Sequence, residues 1–207
     1  MQFFKSRLSK FLGGHLISKT VWWFFIYTAI LFFLSVIMGW LIYSLNQETV
    51  SEEIGEFFNS MAWLKNLSPW TIFIIIFLNN LIKIWLVIIS GLLFGLGPAI
   101  FVTVNGLLLG MIGFESLAAL GWGRTLILLL PHGIIELTVF FMAAAWGFHL
   151  GHIVLLWSFG KKEKEIIKQN LLQAYRWGYK IIPLWVLGAA LVEVFVTPLI
   201  DYLLYGF

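Results

Sequence analysis

The sequence predicts an all-α protein, a polytopic bundle of about five transmembrane helices, on three observations. First, 61% of the 207 residues are hydrophobic and only 11% are charged, with a mean hydropathy of +0.96, whereas soluble domains are about 45–50% apolar and about 25% charged. Second, several apolar stretches approach or exceed the roughly 20 residues that a helix needs to cross a membrane. Third, the basic residues are concentrated in two segments. The predicted spans are residues 21–45, 70–93, 98–114, 124–148 and 181–204.

Residues 1–20 predict a separate element that precedes the transmembrane domain of residues 21–207. Phenylalanine and leucine recur in this segment at helical spacing, and it contains no acidic residue. Basic amphipathic helices of this kind lie on anionic leaflets, so we expect an interfacial helix on the cytoplasmic side, with the lipid bilayer as its partner. Its basic residues are Lys5, Arg7, Lys10 and Lys19.

The distribution of lysine and arginine predicts the orientation in the membrane. The N-terminal segment and the predicted polar loop 160–180 together hold ten of the thirteen lysines and arginines. Five crossings place these two segments on the same side, and basic residues accumulate on the cytoplasmic side. We therefore expect a multi-pass protein of the cell membrane with a cytoplasmic N-terminus. The glutamate-rich loop 46–69 and a short loop at 115–123 are then expected on the outer side.

Four of the predicted spans carry polar residues near their midpoints. A charged side chain at the centre of a membrane costs about 2.5–3.5 kcal/mol, so such residues face a partner or a water-filled cavity. Spans two to five are therefore predicted to surround a polar centre, with the first span at the periphery. Lys83 is expected to pair with Glu136 or Glu193. The members of this polar centre are Asn79, Asn80, Lys83, Asn105, His132, Glu136 and Glu193.

The fourth span combines a proline with two ionisable residues. His132 and Glu136 are four residues apart and therefore share one helix face. Pro131 has no backbone N–H, so the helix is predicted to be kinked or broken there, next to Gly133. We expect the asparagines of neighbouring spans to bond to the carbonyl groups that the proline leaves free.

Glycines are predicted to form a tight turn after the second span and close contacts between helices. Two pairs have the G-x-x-x-G spacing that allows helix backbones to approach each other. We expect a homo-oligomer that forms through one of these pairs. The turn and packing positions are Gly91, Gly95, Gly106, Gly110, Gly147 and Gly151.

The residues alone leave three interpretations of the polar centre: helix packing, a pathway for protons, ions or a small solute, and a metal site. His149 and His152 lie roughly 20 Å along the helix from His132 and Glu136, so the two pairs cannot share an ion within one chain. We expect these two histidines to be polar tips near the interface. Because cysteine, the H-E-x-x-H motif and nucleotide-binding motifs are absent, no catalytic residue, metal, cofactor or nucleic-acid partner is predicted.

Five short motifs, taken in order, resemble the stage II sporulation protein M family of membrane proteins. They are LNN, the glycine-rich turn, NG, PHGIIE and LVEVFVTP, and they extend over residues 79–198. His149 departs from the family pattern, since arginine is expected there in many members. The pattern falls on Asn79, Asn80, Gly91, Gly95, Asn105, Gly106, His132, Gly133, Glu136, Gly147, Gly151 and Glu193.

The resemblance implies a function without an established catalytic role. The namesake of the family is a membrane subunit that works with two partners in peptidoglycan remodelling, and the hydrolytic activity belongs to those partners. Our first hypothesis is therefore a non-enzymatic subunit or scaffold, linked to cell-envelope remodelling and in contact with other envelope or membrane proteins. The second is an ion, proton or small-solute channel or transporter that uses the Lys/His/Glu cluster. The third is an intramembrane enzyme.

Overall fold

The computed structural model describes residues 18–206, which are almost entirely helical and contain no strand. The all-α prediction is therefore confirmed. The predicted interfacial helix of residues 1–20 lies outside the described residues, except for Ser18, which caps the first helix, and two residues inside that helix. The elements are α1 (Lys19–Leu45), α2 (Gln47–Ser60), a 3₁₀ helix (Ala62–Asn66), α3 (Pro69–Ser90), α4 (Leu96–Ser158), α5 (Lys164–Leu191), a π-helix (Val192–Val196) and α6 (Thr197–Tyr205).

Helices long and apolar enough to cross a membrane are α1, α3, α4 and the continuous segment Lys164–Tyr205. Helix α4 has 63 residues, which at 1.5 Å per residue is about 95 Å, far more than one hydrocarbon core of about 30 Å. Gly121 interrupts it, with φ 78° and ψ 168°. We call the two parts limb A (residues 96–120) and limb B (residues 122–158). They account for the third and fourth predicted spans.

Three segments predicted as loops are helical instead, and the first of them, 46–69, contains α2 and the 3₁₀ helix. The loop expected at 115–123 reduces to Gly121, because a single glycine with positive φ is enough to reverse the chain. The polar loop expected at 160–180 is wrong, since α5 begins at Lys164. Its charges lie on the exposed face, while Ala174 and Trp177 are fully buried in the core. Hydropathy alone therefore misses this amphipathic helical extension.

Contacts at the two ends of the bundle define the direction of each helix. At one end, the Ser51 hydroxyl donates to the Glu115 carboxylate over 2.6 Å, close to the break at Gly121. At the other end, the Phe24 ring contacts His152, with ring centroids 6.0 Å apart. Helix α1 and limb A therefore run in the same direction, and limb B returns. We call the end at Gly121 the outer end and the opposite one the inner end, as the predicted orientation has it.

Helix α1 packs along both limbs of α4 with one face and leaves its opposite face exposed, which agrees with its predicted place at the edge of the bundle. Gly106 and Gly110 of limb A bring that helix against α1, where any added Cβ would meet Ser35 or the Val36 carbonyl oxygen. The Thr28 hydroxyl donates to a carbonyl of its own helix, as does that of Ser35. The buried face of α1 can therefore include these two hydroxyl groups, because each is satisfied within its own helix.

Both G-x-x-x-G pairs are used within the chain, so the prediction that they form oligomer contacts is wrong. A Cβ at Gly147 would meet the Pro98 ring, and one at Gly151 would meet the backbone of Gly95. Gly91 lies directly against Gly147. The predicted turn and the inner part of limb B therefore form one closely packed unit, and any contact between copies must use another surface.

Candidate functional site: a polar cavity at mid-span

A cavity of about 510 Å³ lies between α1, α3 and the two limbs of α4. Five of the seven residues predicted for the polar centre line it. They are Asn80, Lys83, Asn105, His132 and Glu136. Two further residues of the predicted packing set, Pro131 and Gly133, flank His132 on limb B, and Gly133 also lines the cavity. Polar residues from three separate helical segments therefore converge on one space.

The cavity has a polar part at mid-span and an apolar part that reaches the outer end. Asn80 is next to the centre of the 22-residue α3. Glu136 follows the helix break by 15 residues, or roughly 22 Å along limb B. Nearer the break, the lining is formed by Phe114, Leu117 and Trp122. The lining is therefore apolar near the outer end and carries ionisable groups at the middle of the bundle.

Lys83 interacts electrostatically with two carboxylates. Glu136 is within electrostatic reach of Lys83, Glu193 and His132, and Glu193 also interacts with Lys83. Among the residues that the structure describes, Lys83 makes no direct ion pair with either carboxylate within 4 Å. The expected direct ion pair is therefore not formed among the described residues, and the Lys83 charge interacts with both acids at longer range.

His132 has a ring nitrogen that needs a partner. Its Nδ1 atom is buried and makes no hydrogen bond within the part of the chain that the structure describes. The Thr125 hydroxyl, which also lines the cavity, is in the same situation. Leaving a buried polar group unsatisfied costs about 1–3 kcal/mol. Both atoms are shielded from a water-sized probe, so a polar molecule in the cavity would reach them only after a side chain has moved.

Limb B is continuous through Pro131, so the chain breaks at Gly121 and not at the proline. The Asn105 amide donates to the Phe101 carbonyl of its own helix over 2.7 Å. The expectation that Asn105 would satisfy a carbonyl freed by Pro131 is therefore wrong. At Gly133, an added Cβ would meet nothing within 4 Å, so this glycine leaves open space beside His132.

Two members of the predicted polar centre lie outside the cavity. Asn79 is exposed, whereas its neighbour Asn80 is buried, because consecutive residues point about 100° apart around a helix. Its assignment to the polar centre is wrong. Glu193 lies in the π-helix and interacts electrostatically with Lys83. Single-turn π-helices often occur at functional sites, and nothing in the sequence pattern pointed to this one.

Sequence reasoning missed an ion pair at the outer end. Arg124 binds both oxygens of Asp201, with Nε–Oδ1 and Nη2–Oδ2 distances of 2.8 Å. This two-point contact ties the beginning of limb B to α6. Asp201 lies near the end of the predicted last span, and only the pairing of opposite charges at two span ends could have indicated the contact.

His149 is a structural residue at the inner end and not a polar tip at the interface. Its side chain is 7% exposed, and its Nε2 atom lies 2.9 Å from the Asn170 side-chain oxygen. The Asn170 amide in turn donates to the Ile166 carbonyl. His152, by contrast, is exposed. The described residues hold no group of three or more His, Cys, Asp or Glu that could bind a metal.

An all-helical bundle with several helices of membrane-spanning length and a polar cavity in its middle defines an integral membrane protein. The family model described as Stage II sporulation protein M matches residues 28–198. The chain belongs to this family, and the matched region includes the whole cavity. The resemblance drawn from the five motifs is therefore confirmed.

The chain is also similar to an uncharacterised protein of Methanocaldococcus jannaschii. The two are 35% identical over 128 residues, which cover 61% of this chain and 71% of the relative. No solved structure matches the chain.

Proposed function

We propose that this membrane protein is a non-enzymatic channel or transporter subunit, in which the cavity is part of a path for protons, cations or a small cationic solute. The observation that carries the proposal is the convergence of Lys83, His132 and Glu136 on one space. Each ionisable group inside a membrane is costly, and helix packing alone gains only about 0.6 kcal/mol per polar contact. The gain from helix packing therefore does not account for three ionisable residues in one cavity.

The signs of the charges favour a cation over an anion. Lys83 interacts with both Glu136 and Glu193, so the group carries one net negative charge when all three are ionised. A proton or a monovalent cation would balance it, whereas an anion would add to the imbalance. His132 supplies a further group that can accept a proton.

A second proposal, the scaffold role, is supported by the inner end of the bundle. Limb B and the segment Lys164–Tyr205 are both longer than the roughly 20 residues that cross a membrane. Their inner parts therefore extend beyond the bilayer as a helical hairpin. This hairpin exposes Lys164 and Lys168, which suits contact with a protein partner in envelope remodelling. It lies on the side that we propose is cytoplasmic, together with the N-terminus.

Flux measurements on liposomes that contain the purified protein separate the two proposals. We expect proton or cation flux above that of empty liposomes, and a clear reduction by Glu136→Gln and by Lys83→Met. Glu163→Gln is the matched control, because Glu163 is exposed at the beginning of α5 and far from the cavity. If folded, inserted protein gives no flux under any gradient, the path is refuted and the scaffold proposal remains.

A further inference from the structure

Helix α3 carries a narrow exposed stripe with a carboxamide at its centre. The stripe contains Asn79 and four large apolar residues, which recur every three or four positions and so fall on one face. The apolar members are Ile75, Ile82, Leu86 and Ile89. Asn79 lies at the middle of the 22-residue helix, the depth at which a membrane offers no water.

Asn79 is poorly suited to a surface that faces lipid. Within residues 18–206, its side chain lies outside the cavity and no other residue bonds to it. A polar group in hydrocarbon without a hydrogen-bond partner is unfavourable. The exposed face of α1 differs, because its mid-span residues Ile30, Leu34 and Ile37 are all apolar and lipid can cover them.

We propose that two copies of this chain associate through α3, with their Asn79 side chains hydrogen-bonded to each other. A carboxamide both donates and accepts, so two identical ones are complementary. Copies inserted in the same direction have parallel α3 helices, and a two-fold axis then places each Asn79 opposite the other at the same depth. A single asparagine in an apolar seam is known to fix register and oligomeric state in this manner.

The packing inside the chain supports this surface over the alternatives. Both G-x-x-x-G pairs are occupied by contacts with α1 and with the turn after α3. The stripe itself bears no charge, so it offers nothing that would select a charged partner. A second copy supplies the missing hydrogen bonds with no further requirement.

Disulfide cross-linking tests the proposed contact directly, because the natural chain has no cysteine. Single cysteines replace Ile82, Ile75 or the control position Ile74 in the full chain. Each variant is purified, reconstituted into liposomes and oxidised, and the informative comparison is between positions 75 and 74. The two positions are at the same depth but point about 100° apart. We expect Ile75→Cys and Ile82→Cys to form several-fold more covalent dimer than Ile74→Cys. The control is conservative, since Ile74 is 52% exposed and Ile75 only 36%.

The role of the carboxamide is tested by Asn79→Leu, which keeps the stripe and removes the hydrogen bonds. We expect the association constant of the dimer in liposomes to fall roughly three- to tenfold, with helical content unchanged. Asn79→Gln should restore part of the lost association. Equal cross-linking at positions 74 and 75, or an unchanged constant for Asn79→Leu, would overturn the proposal. Cross-linking of Ile75→Cys in native membranes to a different protein only would do so as well.

Discussion

The glycines of this chain behave differently in two regions of the same bundle. At the inner end, Gly91, Gly147 and Gly151 are in direct contact with the backbone or side chains of other segments. Around the cavity, Gly113 and Gly133 have nothing within 4 Å of an added Cβ. The inner glycines bring helices together, whereas the cavity glycines keep space open. One residue type therefore serves a sealed region and an open region.

The largest effect is expected from filling the sealed region. Gly147→Leu would drive a side chain into the Pro98 ring and the Val87 carbonyl. Overpacking a close helix contact costs about 3 kcal/mol, so we expect a large fall in the unfolding temperature in detergent. A normal unfolding temperature would show that the turn after α3 does not pack on limb B as described.

The ion pair at the outer end should matter less than the glycine contact. Arg124 and Asp201 side chains are 34% and 17% exposed, so solvent screens the pair only in part. We expect Arg124→Gln to lower the unfolding temperature in detergent by less than Gly147→Leu does. A double-mutant cycle with Asp201→Asn should give a clear coupling energy, and additive effects of the two substitutions would contradict the contact.

The hydrogen bond between His149 and Asn170 is expected to have a smaller effect again. Asn170→Ala removes the partner of a buried ring nitrogen, which should cost about 1 kcal/mol. The exposed neighbour Gln169→Ala is the matched control on α5. If both variants unfold at the same temperature as the natural chain, the inner end does not depend on this bond.

The smallest effect on stability, but not on flux, is expected at Gly133. Gly133→Ala adds a methyl group to open space within a helix, so stability should be unchanged or rise by about 0.5 kcal/mol. The same substitution at Gly147 should be destabilising, because that site has no room. Reduced flux with normal stability for Gly133→Ala would show that the cavity glycine affects flux and not packing. A loss of stability for Gly133→Ala would contradict the open space beside that residue.

The sequence was sufficient for features that depend on composition along a helix. Long apolar stretches predicted the membrane-spanning helices, and the cost of burying charge predicted that polar residues would converge. The direction in which a side chain points from a helix was harder to predict. Asn79 and Asn80 are adjacent in sequence, yet Asn79 is exposed and Asn80 is buried. No single-sequence pattern decides which of the two asparagines faces inward, since Lys83 lies three residues from Asn80 and four from Asn79 and could share a helix face with either.

Features that depend on tertiary contact were not predictable in the same way. The beginning of α5 at Lys164 is stabilised by burial of Trp177 against limb B, which overrides the polar composition that indicated a loop. The pairing of Arg124 with Asp201 joins residues 77 positions apart. Likewise, the π-helix at Glu193 and the packing of α1 depend on the shapes of neighbouring helices. The local sequence does not predict those shapes.

The measurement that tests the central claim most directly is the accessibility of the cavity to water. Gly133→Cys places a thiol in the cavity, and Leu34→Cys places one on the exposed face of α1 near mid-span. Only the thiolate reacts, and it forms readily in water but not in lipid. We predict that a charged, membrane-impermeant thiol reagent modifies Gly133→Cys about tenfold faster or more than Leu34→Cys. Equal, slow reaction at both positions would contradict a water-filled polar cavity.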